Sequence, residues 1–271
     1  MVVMVSRCAV LLFATGCTLA KTHEQPDAPS ISCTSPAFTS GSTQANMSVT
    51  DFNIDQAGDL AIAMCNGSIC QGSATSLAMS QLASPTGTSY ANPRLTPGGN
   101  ELFVRTTTPL DSHLESYARA SGNGWDVEGT VAFSTAMKIG SSTTFSQPTT
   151  GERGRHMIVA DGTNMIELSQ SAPNALPSDP WSPVTGGMYT PATFGVASMT
   201  EPNLSADGTI LVFRGADGIY YVTRSDLEQP FAGSAKMLWS QAGATATTPY
   251  LAPDCTRLFF SIDGDLDYAV P

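Results

Sequence analysis

The chain has 271 residues, of which 41% are hydrophobic and 13% charged, which excludes a disordered tail and a coiled coil. With 12 Lys and Arg against 23 Asp and Glu its formal net charge is −11, which argues against nucleic acid as a partner. Its 24 glycines and 18 prolines predict many short strands joined by turns.

The first element in chain order is a leader. Residues 1–17 read MVVMVSRCAVLLFATGC, in which one cation, Arg7, precedes an apolar run from Cys8 to Ala14. A charged start, a short apolar stretch and small residues mark a secretory signal. The run is too short to span a bilayer, which needs about 20 apolar residues. The ending Ala14-Thr15-Gly16-Cys17 resembles the bacterial lipobox. That resemblance implies cleavage after residue 16 and lipidation of Cys17, with Thr18 after it pointing to the outer membrane. Residues 17–32 are polar, carry Pro26 and Pro29 and lack an apolar period, so a flexible tether is expected there. The remaining residues, 33–271, are read as one domain.

Cys33, Cys65, Cys70 and Cys255 remain once the leader and the lipid are assigned. An even number in an exported chain predicts two disulfides. Cys65 and Cys70 flank an Asn66-Gly67 turn and can close a small loop, which leaves Cys33 to pair with Cys255. Zinc fits poorly, because there is no second short-spaced pair and no histidine beside one. No metal and no cofactor are expected.

A repeat organises the domain. Five segments align without gaps: FNIDQAGDLAIAM from Phe52, PRLTPGGNELFVR from Pro93, PTTGERGRHMIVA from Pro148, PNLSADGTILVFR from Pro202 and PYLAPDCTRLFFS from Pro249. The starts are 41, 55, 54 and 47 residues apart. Six residues after each start stands Gly58, Gly99, Gly154, Gly208 or Cys255, followed by an apolar run. A proline suits the start of a strand, the turn wants glycine at positive φ, and the run after it suits a buried strand. Asp217-Gly218 before Ile219–Val222, and Asp263-Gly264 before Leu266–Val270, predict a third strand. Trp125, Trp181 and Trp239 are expected on outer strands. Periods of this length predict an all-β propeller of four-stranded antiparallel blades, five by direct count with six as the alternative.

The fourth copy, with Pro202, Leu204, Ser205, Asp207, Gly208, Leu211 and Phe213 followed by Tyr220 to Arg224, resembles the WD40-like PD40 repeat of TolB-like propellers. The fifth copy follows it, with Cys255 in place of the glycine, and the other three follow by register. The resemblance spans about residues 48–271 and implies protein partners near the outer membrane. Residues 34–50 are expected to supply the missing outer strand of the last blade, with a Cys33–Cys255 bond clasping the ring.

Patterns for chemistry are few. There is no His-Glu-x-x-His, no Gly-x-Ser-x-Gly and no phosphate-binding glycine loop. Asp55, Asp207 and Asp254 occupy one turn of the repeat, and Asp161, Asp217 and Asp263 another, where aspartate bonds nearby backbone. The position one residue after each repeat start, Asn53, Arg94, Thr149, Asn203 and Tyr250, is polar or amphipathic and is expected to face the central channel. The resulting expectation is a monomeric, non-enzymatic scaffold held in the bacterial cell envelope by its lipid. It binds an envelope protein or small ligand at a propeller mouth. The alternative is a secreted five-bladed glycoside hydrolase, which requires paired carboxylates in a cleft.

Overall fold

The computed structural model describes residues 39–40, 49–73, 79–82, 88–120, 124–134, 137–149, 155–162, 164–170 and 179–270. Its strands form five four-stranded antiparallel sheets, the blades of a five-bladed β-propeller. The first strand in the chain, β1 (Thr39–Ser40), belongs to the last blade. Blade 1 runs β2 (Val49–Ile54), β3 (Leu60–Cys65), β4 (Ser68–Ser73) and β5 (Met79–Gln81). Blade 2 is β6 (Ser89–Leu95), β7 (Glu101–Thr107), β8 (Ser112–Arg119) and β9 (Trp125–Thr130). Blade 3 is β10 (Thr144–Phe145), β11 (Arg155–Asp161), β12 (Asn164–Gln170) and β13 (Ser182–Tyr189). A single helical turn, α1 (Pro191–Phe194), leads into blade 4: β14 (Thr200–Leu204), β15 (Ile210–Arg214), β16 (Ile219–Thr223) and β17 (Lys236–Trp239). Blade 5 is β18 (Ala246–Leu251), β19 (Leu258–Ile262) and β20 (Asp265–Val270), completed by β1.

Ring closure follows the expected route. Thr39 pairs with Val270 and Ser40 with Ala269, so a segment before the first repeat supplies the outer strand of the fifth blade. The innermost strands β2, β6, β10, β14 and β18 each touch the next around the axis, and β18 returns to β2.

The core lies between blades rather than within one. Five apolar clusters each combine residues of two adjacent blades. The second strand of each blade is therefore buried on both faces, which explains the continuous apolar runs of the repeat. In β3 the alternation sends Leu60, Ile62 and Met64 towards blade 2, and Ala61, Ala63 and Cys65 towards blade 5. The small residues fall where Phe52, Tyr250 and Phe259 need room. In β15 the same rule sends Leu211 and Phe213 to blade 3, and Ile210 and Val212 to blade 5.

The turn after each innermost strand needs a left-handed residue. Gly58, Gly99 and Gly208 have φ of 73°, 70° and 71°, and Cys255 stands at the same place with φ 58°. The prolines depart from expectation. Pro93, Pro202 and Pro249 do not start their strands; they sit at β-bulges inside them, where the pairing shifts register. The bulge breaks the ladder locally, so the missing N–H costs nothing there. Of the tryptophans, Trp125 and Trp239 are on outer strands as expected. Trp181 instead lies just before β13, fully buried and bridged to Phe133.

Candidate functional site at the channel mouth

Innermost strands run from one mouth of the ring, where the bulges are, to the other, where the glycine turns are. At the turn mouth the aspartates fold back on their own loops. Asp55 Oδ1 accepts from the backbone N–H of Asp59 and Leu60 at 2.9 and 3.1 Å. Asp207 Oδ1 accepts from Ser205 Oγ at 2.6 Å and from the Thr209 N–H at 3.1 Å, and Asp254 Oδ1 from the Thr256 N–H at 3.0 Å. These carboxylates hold turns in shape.

The residues expected to face the channel are buried, and they tie blade to blade. Asn53 accepts from the Leu95 N–H at 2.7 Å and donates to the Pro93 carbonyl at 3.0 Å. Arg94 Nε donates to the Phe145 carbonyl at 2.8 Å. Asn203 Oδ1 accepts from the Leu251 N–H at 2.9 Å, and the Tyr250 hydroxyl donates to the Ile54 carbonyl at 2.5 Å. Burial, the larger cause, and the charge of Asp55 push the Tyr250 hydroxyl above its ordinary pKa, so it remains a donor.

Thr149 does not belong to this set. Its N–H bonds the His156 carbonyl, seven residues on, whereas Asp55, Thr96, Ser205 and Ala252 bond the carbonyl five residues on. The blade 3 turn thus carries two extra residues, which displaces the gapless alignment by two. Gln147 takes the tying position: Nε2 donates to the Leu204 carbonyl and Oε1 accepts from Asn203 Nδ2 at 2.7 Å. Asn203→Ala is expected to cost about 1–3 kcal/mol, because it orphans the Leu251 N–H and Gln147 Oε1 together. A shifted denaturant midpoint with an unchanged slope reads this.

A second ring, missed in the sequence, lies two residues upstream at the bulges. Asp51, Asn92, Glu201 and Thr248 have φ of 53°, 49°, 53° and 50°. They are linked head to tail around the bulged mouth. The Asp51 N–H donates to Thr248 Oγ1 at 3.3 Å, the Thr248 N–H to Glu201 Oε2 at 2.6 Å, and the Glu201 N–H to Thr144 Oγ1 at 3.2 Å. Asn92 Nδ2 donates to Asp51 Oδ1 at 3.0 Å. The signal for this ring was in the sequence: Asn92, Glu201 and Thr248 each directly precede the repeat proline.

Arginines stand beside the ring. Arg214 Nη1 donates to Glu201 Oε1 at 3.2 Å. Arg94 Nη2 lies 3.4 Å from Asp51 Oδ1, and Arg105 Nη1 donates to the Thr143 carbonyl of the next blade. Burial pushes the Arg105 guanidinium below its usual pKa, and the charge of Asp51 opposes that. Among the described residues, the innermost strand of blade 3 has no bulge and no positive-φ residue to continue the ring. At this break two buried atoms have no hydrogen-bond partner among the described residues, Asn92 Oδ1 and Arg105 Nε.

The strongest charge cluster lies elsewhere, between blades 3 and 4. Glu167, fully buried, has His156 Nδ1 at 2.7 Å and Arg224 Nη1 at 2.8 Å on Oε1, and accepts from the Tyr189 hydroxyl at 2.6 Å on Oε2.

The short disulfide expected in blade 1 is absent: Cys65 and Cys70 are free. The hairpin pairs Cys65 with Ser68 and Ala63 with Cys70, so the two thiols are diagonal neighbours rather than facing. Burial, then a hydrogen bond and charge from Cys70, push the Cys65 thiol up to about 12. Cys255 is not among the free thiols, and its expected partner Cys33 lies outside the described residues, as does Cys17.

No family model matches the sequence, and no curated protein matches it. Solved structures match in fold. A protein assigned as TolB from Agrobacterium tumefaciens is 13% identical with a TM-score of 0.50, over 81% of this chain and 71% of that one. The β-propeller domain of Cps50 (Swd1) from Myceliophteria thermophila is 10% identical with a TM-score of 0.51, over 86% and 99%. A glycosyl hydrolase from Bacteroides ovatus is 9% identical with a TM-score of 0.52, over 84% and 85%. At these identities the likeness is one of fold.

Proposed function

We propose that this chain is a non-enzymatic binding propeller, TolB-like in its repeats, whose bulged mouth is the contact surface. It is tethered to a bacterial envelope through Cys17 and works as a monomer. One observation carries the reading: the two mouths differ in what their polar groups are doing. Aspartates at the turn mouth bond within their own loops, whereas the bulged mouth carries a blade-to-blade ring in which Glu201 pairs with Arg214, whose side chain is 33% exposed. Both carboxylates of that ring, Asp51 and Glu201, accept bonds from fixed partners, an arrangement suited to holding shape rather than to moving protons.

A photo-crosslinking residue at Gln241, exposed on the loop entering β18 at the bulged mouth, tests this. In the native envelope it is expected to capture a discrete partner, while the same residue at Asp254, on the turn mouth, captures none. Equal capture from both positions, or none from either, ends the proposal.

A further inference from the structure

The break in the bulge ring has its own chemistry. Around the ring, a side-chain oxygen on one blade accepts a hydrogen from the next: Thr144 from Glu201, Glu201 from Thr248, Thr248 from Asp51, and Asp51 from Asn92. Asn92 Oδ1 is next in line and has no donor among the described residues, whose innermost blade 3 strand has no bulge. Beside it, Arg105 reaches the Thr143 carbonyl, a neutral acceptor, and leaves Nε unbonded. Asp51 is the acid acting on Arg105, and it already serves Arg94 and Asn92. Among the described residues these two guanidiniums therefore share one carboxylate, which leaves the pair one positive charge in excess.

We infer that the break between blades 2 and 3 binds a small carboxylate bearing a hydroxyl on the adjacent carbon. The carboxylate pairs with the Arg105 guanidinium, and the hydroxyl donates to Asn92 Oδ1. Binding exchanges the bond to the Thr143 carbonyl for a charge-assisted pair, the stronger of the two. Arg105 is only partly buried, so binding draws its guanidinium outward towards the mouth. One negative charge matches the local excess. A neutral sugar leaves that excess unpaired, and a phosphate dianion brings a second negative charge. Free 2-hydroxy acids carry this chemistry; the acid end of a pyranose uronic sugar does not, because the oxygen on its adjacent carbon is the ring ether and has no hydrogen for Asn92. The inference rests on the bulged mouth being the binding face, yet it is separable from macromolecular capture there.

Titration calorimetry on the full chain tests it with five probes: glycolate, D-galacturonate, acetate, D-galactose and inorganic phosphate. Glycolate is expected to bind saturably, acetate roughly tenfold more weakly for want of the hydroxyl, and galactose and phosphate not at all. D-Galacturonate, whose adjacent-carbon oxygen is the ring ether, is expected to bind no more tightly than acetate, and galacturonate tighter than glycolate overturns the inference. Arg105→Lys keeps the charge and removes Nε and the fork, and is expected to weaken glycolate by about tenfold. Asp254→Asn at the far mouth leaves it unchanged. No glycolate binding, acetate equal to glycolate, binding of galactose or phosphate, or an unaffected Arg105→Lys each overturns the inference. Failed crosslinking at Gln241 with intact glycolate binding removes the macromolecular partner alone.

Discussion

Replacing Glu167 with alanine is expected to cost about 3–5 kcal/mol, the penalty for removing one partner of a buried pair. The carboxylate is fully buried in β12, and its two oxygens collect His156 from its own blade, Arg224 from blade 4 and the Tyr189 hydroxyl. Without it, Arg224 is left charged against Phe231, over whose ring it lies at 4.3 Å, with the Gly208 and Gln229 carbonyls as its remaining acceptors among the described residues. Blades 3 and 4 then lose their polar clamp while the apolar cluster between them remains. Glu167→Gln keeps the shape and one acceptor and is expected to cost less.

Acid should act through the same group. Burial alone would raise the Glu167 pKa, but the His156 hydrogen bond and the Arg224 charge outweigh it, and the carboxyl sits below its ordinary value. A depressed folded pKa means that stability is fully present above the unfolded value, about 4.3. It is lost as the pH falls below that value towards the folded one. Denaturant midpoints between pH 7 and 3 are therefore expected to fall more steeply for the wild type than for Glu167→Gln. Parallel curves would show that the clamp is not ionised in the folded chain.

Breaking the proposed Cys33–Cys255 clasp is expected to cost about 2–5 kcal/mol, since the bond closes a very long loop. Two observations support the pairing. Cys65 and Cys70 are free thiols and Cys255 is not. Cys255 also holds a left-handed conformation, φ 58°, at the position where three blades use glycine. A non-glycine residue there costs about 1–3 kcal/mol and persists when something else requires it. A bond to Cys33 would join the segment before β1 to the blade that β1 completes. Cys255→Ser removes the bond and keeps the left-handed side chain, whereas Cys255→Gly removes the bond and relieves the backbone, so the difference between the two variants separates the contributions. Reductant is expected to lower the melting temperature of the wild type and to leave Cys255→Gly unmoved. A non-reducing peptide map that finds Cys33 unlinked to Cys255 removes the clasp.

Much of the fold was legible because a propeller repeats the same local demands. Each blade needs a left-handed turn after its innermost strand and a strand buried on both faces after that. Gly58, Gly99 and Gly208 with the runs behind them announce those demands. Blade 3 misled the alignment because Pro148 imitates the repeat proline two residues late, and only the pairing of Thr149 with His156 exposes the longer turn. The candidate site was half legible. Polar residues recur at Asn53, Arg94, Asn203 and Tyr250, but a strand pattern read from sequence has no bulge in it. A bulge turns the residue before the proline towards the mouth and sends the one after it between the blades.

By itself the sequence determined the class, narrowed the blades to five by direct count with six as the alternative, and pointed to residues 34–50 as the segment that closes the ring, since those depend on short-range periodicity and on counting strands. Tertiary structure alone decided which polar groups meet. The bond from Tyr250 to Ile54 and the pair of Glu167 with Arg224 span 196 and 57 residues. Contacts of that separation come from the rotation between neighbouring blades, and no local pattern encodes that rotation.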